Sequence, residues 1–155
     1  MSFWPNETFA AHGQELRLVF GEANAPVDAA APSTAAMLGM AWLHALHARS
    51  SLARGRLWQV LYTVNGVREH VVQLACVRHA LPFSQGRGVD DLPKPLVEAL
   101  TPAVPQTVEH ASLVRAFEHT IHLLLAEAME LDPVAGVRLR APLFELVRTS
   151  DAAAR

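Results

Sequence analysis

Leu57, Leu61, Val64, Val67, Val71, Leu74 and Arg78 recur at a spacing of about 3.5 residues. A strand alternates its apolar positions, so this seam predicts one long helix with a single face in a core. A second run of the same kind lies in SLVRAFEHTIHLLLAEAMEL, where Leu113, Phe117, Thr120, Ile121, Leu124, Ala128 and Leu131 share a face. Leu61 and Ile121 are thus expected to be core positions on facing helices. Ser33 or Thr34 can cap an earlier helix through AAMLGMAWLHALHARS. Asp132-Pro133 supplies a cap and a first-turn proline for a last helix, interrupted at Pro142. Asp90 or Asp91 can start a short helix near KPLVEAL, and TPAVPQT reads as a connector.

A chain of 155 residues, 51% apolar with only 6% aromatic, has the length for one hydrophobic core and favours helices over a sandwich. The expected fold is mainly α: a four- to five-helix up-down bundle over residues 33–150, with a disordered tail at 151–155. Residues 1–32 are expected to form a short N-terminal β-strand and a linker. QELRLVFGEA alternates Leu16, Leu18 and Phe20 against Glu15, Arg17 and Val19, and ANAPVDAAAPSTAA follows as an Ala/Pro-rich connector. One strand makes no stable sheet, and its open edge points to a homodimer.

A net charge of −2 gives no general attraction to nucleic acid or to an anionic membrane, and no basic tract is interleaved with aromatic residues. Neither partner is expected. Cys76 is the only cysteine, as suits a reducing compartment, and buried inertness is expected of it rather than nucleophilic chemistry. No apolar run reaches the roughly 18 to 20 residues of a membrane span. MSFWPNETF lacks the basic-then-apolar order of a signal peptide. A cytoplasmic protein is expected.

RGRLWQVLYTVNGVREH, residues 54–70, places Arg54, Trp58, Tyr62, Asn65 and Glu69 on a stripe beside the apolar seam. Either this is a central helix with aromatic residues at the core edge, or it lines a groove. In the groove, Arg54, Arg68 and the aromatic rings would meet a flat or anionic ligand.

The longer stretch RGRLWQVLYTVNGVREHVVQLACVRHALPFSQGRGVDDLP resembles the helical C-terminal region of antibiotic-type nucleotidyltransferase-fold proteins, relatives of the aminoglycoside and lincosamide nucleotidyltransferases. The resemblance rests on Arg-Gly-Arg, a following aromatic residue, an Arg one helix-length on, then RH-x-LP and GRG-x-D-x-LP, and it covers roughly residues 35 to 150. It implies a substrate-binding helical half, with Arg54, Arg56 and Arg68 toward an anionic ligand and Trp58 and Tyr62 as walls. It also implies that residues 1–30 are the tail of a preceding catalytic domain. The family's Gly-Ser and Asp-x-Asp/Glu motifs are missing, and VDDLP does not replace them. The expected function is therefore a stand-alone substrate-binding-type domain for a small or nucleotide-like ligand. No cofactor is implied, nor nucleotidyl transfer by this chain alone; a separate chain could supply the catalytic domain.

Two further arrangements offer chemistry of their own. His44 and His47, and His119 and His122, are paired at i, i+3, so four imidazoles could meet around a metal between two helices. Exposed or core-edge histidines are the plainer reading. Arg115 and His122 fit the loose Arg-x(4–6)-His spacing of HEPN ribonucleases, a pattern common by chance. A third reading is purely structural, with the bundle dimerising through its first helix or its N-terminal strand.

Overall fold

The computed structural model describes residues 33–152. The strand expected at 15–20, the linker to residue 32 and residues 153–155 lie outside them. The described residues form five α-helices and no strand: α1 (Thr34–Ala53), α2 (Leu57–Arg78), α3 (Lys94–Leu100), α4 (His110–Leu131) and α5 (Pro133–Ala152). Mainly helical bundle architecture is as the periodicity predicts.

Local chemistry sets the helix ends. The Ser33 hydroxyl accepts the Ala36 N–H at 3.2 Å and caps α1. At its other end, Gly55 N–H donates to the Leu52 carbonyl and Arg56 N–H to that of Ser51, both at 3.0 Å. This is a Schellman stop, and Gly55 occupies its left-handed position at φ +64°. Asp132 serves two helices: its N–H closes α4 on the Ala128 carbonyl, and its Oδ1 accepts the Ala135 N–H to open α5. Asp90 and Asp91 do not start α3. They sit in a 3-10 turn, Val89–Asp91, and α3 begins after Pro93 with no side-chain cap. Nor does Pro142 interrupt the last helix, which runs unbroken through Ala152. Pro142 is on the exposed side, where water can satisfy the carbonyl its ring leaves unpaired.

The core is built on α2 and α4. Val60, Val64, Val67 and Leu74 of α2 meet Leu113, Phe117, Ile121 and Leu124 of α4, all fully enclosed. α1 contributes Ala41, Ala45 and Ala48, small side chains that let it pack close. Gly66 of α2 is needed for this, since a Cβ there would lie 2.7 Å from Nδ1 of His44. Ile121 is a core residue as expected, but Leu61 is only partly buried and Val60 takes its place. The enclosed positions Val60, Val64, Val67, Val71 and Leu74 keep a regular alternation of four and three residues, and Leu61, about 100° around the helix from Val60, falls at the core edge.

The order of the helices departs from a simple up-down bundle. α1 and α2 are antiparallel across their three-residue turn, and α4 and α5 are antiparallel across Asp132. α2 and α4, however, run parallel. Arg78 at the end of α2 forks onto Glu127 near the end of α4, Nε to Oε2 and Nη2 to Oε1, each at 2.8 Å. Residues 79–109, which include α3, travel back along α2 to make this possible. Phe83 and Leu100 lie beside the middle of α2 and Val108 beside its first turn. The Ser112 hydroxyl then accepts the N–H groups of Gln106 and Thr107 and fixes the end of this crossover to α4. A connection this long removes the constraint that makes neighbours antiparallel when loops are short.

α2 also ends in a Schellman stop, with Leu81 N–H on the Cys76 carbonyl at 2.8 Å and Ala80 N–H on that of Val77 at 3.1 Å. Its left-handed position holds an alanine, Ala80 at φ +54°, where a Cβ is crowded. Ala80→Gly should therefore raise stability by about 1 kcal/mol. Urea unfolding checks this, and an unchanged or lower midpoint would show that the alanine is unstrained.

Candidate functional site

The sequence-predicted residues Arg54, Arg56, Trp58, Tyr62 and Arg68 do not converge on one groove. Arg54 is the C-cap of α1 and Arg56 follows Gly55, so Arg-Gly-Arg is the turn between α1 and α2, with both side chains in solvent. Trp58 and Tyr62 are 75% and 73% exposed on the outward stripe of α2. Arg56 and Trp58 share a shallow depression with Gly55, Leu57, Gln59 and Val108. Arg68 lies further along α2, against the crossover.

There it lines a concavity of about 460 Å³. One wall is α2, with Asn65, Glu69, Val72 and Gln73 beside Arg68; the other is the crossover, with Phe83, Val89, Leu100 and Val104. Of the Arg68 donors, Nη1 bonds the Ala103 carbonyl at 3.2 Å and so holds the 3-10 turn Thr101–Ala103 against α2. Among the described residues Arg68 has no carboxylate partner; the ion pairs there are Arg78–Glu127, Lys94–Glu98 and Arg148–Glu145. Burial presses its pKa below the ordinary arginine value, a mark of partial desolvation in a group that stays charged. Glu69 accepts a long bond from Gln73 at 3.4 Å. The loop on the far wall is itself strained, with Gln85 at φ +59°.

A partly desolvated guanidinium with free donors, facing an apolar wall, can anchor a planar or tetrahedral anion. Arg68 was legible as a candidate from its place in the quoted stretch. Its real neighbours were not, because Phe83, Val89, Leu100 and Val104 arrive through a connection that looks like loop in the sequence. The Pro/Gly-rich run PFSQGRG was the one signal available.

The other candidates are dispersed. His44 faces α2 and its ring lies 5.6 Å from that of His70, whereas His47, His119 and His122 are exposed. His122 meets Phe144 of α5 edge-on at 5.0 Å. The four imidazoles of the metal expectation thus do not come together, and among the described residues no three His, Cys, Asp or Glu side chains are grouped to hold a metal. Arg115 and His122 open onto different concavities, one with His110 and Glu118 and the other with Met129 and Arg140. Cys76 is buried and free. Its surroundings, and then the Glu127 charge, push the thiol pKa up, away from nucleophilic use. No helix among the described residues is long and apolar enough to cross a membrane.

No protein-family model, curated protein or solved structure matches the chain.

His44 itself gives a pH dependence. Its Nδ1 is buried against Gly66 without a hydrogen-bond partner. Burial first, then the nearby His70 and His47, lower its pKa from 6.5, and Glu69 opposes them. A folded-state pKa below the unfolded one means that the unfolded chain takes up the proton first. The stability His44 contributes is therefore complete above pH 6.5 and lost as pH falls through the folded value. Melting between about pH 7.5 and about pH 5.5 should show a falling midpoint, and His44→Phe should flatten that fall. Parallel curves for both proteins would remove His44 as the cause.

Proposed function

We propose that this bundle is a binding domain for a small organic anion, held in the concavity between α2 and the crossover with Arg68 as its anchor. One observation carries the reading: Arg68 is half-buried, has no carboxylate partner among the described residues, and opens on a concavity of mixed polar and apolar lining. An arginine taken wholly out of water is ordinarily paired with an anion, and Arg68, partly withdrawn from water, has only a carbonyl. The volume is in the range of small-molecule sites. The sequence resemblance to the substrate-binding half of nucleotidyltransferases supports the same class of function, and Arg68 is the one carried-over residue with a concavity and partial burial together. Arg54, Arg56, Trp58 and Tyr62 have a secondary place in this reading, as rim or partner-facing groups. Nucleotidyl transfer is not proposed, because Asp90 and Asp91 sit exposed on one 3-10 turn and join no third carboxylate among the described residues.

Chemical-shift mapping with inorganic phosphate, ATP and medium-chain carboxylates tests the site. At least one probe should move amides of α2 near Arg68 and of residues 83–104, weaken with added salt, and lose about tenfold or more in affinity in Arg68→Leu. Shifts that map elsewhere, or that persist unchanged in the variant, would exclude Arg68 as the anchor. Turnover of a triphosphate with Mg²⁺ would refute the non-catalytic part of the reading.

A second reading concerns the outward face of α1. Met40, Leu43 and Leu46 are 45%, 42% and 36% exposed, and residues 34–48 contain no Asp, Glu, Lys or Arg. A helix without a charged face calls for cover, and a second copy fits because two such faces bring no like charges together. Light scattering should then give a dimer mass that Leu43→Glu reduces to a monomer. A concentration-independent monomer of the unaltered chain would reject it.

A further inference from the structure

The concavity at Arg68 has a balanced charge. Arg68 supplies one full positive charge, Glu69 supplies one full negative charge on the same helix, and Val72, Phe83, Leu100 and Val104 are apolar. Resting on the reading of this concavity as an anion site, we infer that its ligand is a monocarboxylate with an apolar tail rather than a nucleotide or other polyphosphate.

The inference follows from what each ligand needs. A carboxylate has two oxygens that match one edge of a guanidinium, and one guanidinium neutralises it. Nη1 of Arg68 is engaged by the Ala103 carbonyl, while Nε and Nη2 make no bond among the described residues. That remaining edge is the one that forks onto a carboxylate, as Arg78 does on Glu127. A triphosphate needs several cationic partners, and the lining of the concavity has no second lysine or arginine. Among the described residues, Lys94 and Arg87 do not line it: Lys94 pairs with Glu98, and Arg87, exposed beside Gly86, donates to the Gln85 side chain. Glu69 repels each added negative charge, so its penalty grows from a monoanion to a polyanion. The apolar wall would be wasted on a phosphate chain, whereas an alkyl or aromatic tail buries it. Asn65 and Gln73 at the polar side can bond a second polar group on the head of the ligand.

Calorimetric titration of the full chain with octanoate, acetate, inorganic phosphate and ATP decides the matter. Octanoate should bind at least about tenfold more tightly than acetate, through its tail, and at least about tenfold more tightly than phosphate or ATP. Arg68→Leu should abolish that binding. Arg68→Lys keeps the charge without the planar fork and should fall between the two, so lost positioning of the crossover is not mistaken for lost charge. Glu69→Gln should tighten octanoate roughly twofold or more and narrow the gap to phosphate. ATP or phosphate binding through Arg68 as tightly as octanoate would overturn the monocarboxylate assignment and leave the anion site standing. An unaltered chain that binds none of the four probes, or octanoate binding indifferent to Arg68, would overturn both.

Discussion

One guanidinium–carboxylate fork dictates the route of the chain. Glu127 is almost wholly enclosed, and a carboxylate there needs a cation with matching geometry. Arg78 provides it at two 2.8 Å contacts and ties the last turn of α2 to the last turns of α4. Two helices that pack along their lengths and are joined at their C-terminal ends run parallel. The segment between them must then climb the full length of α2, and in doing so it builds the far wall of the Arg68 concavity. Carbon–carbon packing in the core tolerates several registers, but a two-pronged ion pair accepts only one.

The elements that repeat every three or four residues were legible in the sequence, and those that depend on distant partners were not. The α4 face from Leu113 to Ala128 is legible because its large side chains fill the centre of the core. The α2 seam is offset by one residue at its start, where Val60 is enclosed and Leu57 and Leu61 are only partly buried against the core. The caps at Ser33 and Asp132 are short-range chemistry and were visible. The parallel pairing of α2 and α4 was not, because nothing local in Arg78 announces Glu127. Arg68 was found, but its concavity was hidden in a stretch of prolines and glycines whose apolar residues keep no period.

The Arg-Gly-Arg and RHALP motifs have local explanations. Arg-Gly-Arg is the stop of α1, with the glycine in the one position that requires a left-handed backbone. RHALP is the stop of α2, with His79 as cap, Ala80 left-handed and Pro82 barring further helix. A chain with two such stops shares their spelling with any helical bundle whose hairpins turn in the same way. Such signatures carry information about turns before they carry information about ligands. Arg68 differs from both: it sits mid-helix, outside either stop, and only its Nη1 is engaged, on the carbonyl of Ala103.

The junction at Asp132 leaves α4 and α5 no slack, since one residue ends the first helix and caps the second. The turn at residues 54–56 is nearly as tight. Among the described residues, the connection with length to spare is the crossover. A change in the length of the crossover would therefore reshape one wall of the concavity and leave the other in place. The other wall, α2, is held by the core on one side and by α1 on another. If the concavity holds an anion as proposed, the anchoring charge stands on the helix and the crossover is the wall that would meet the rest of the ligand.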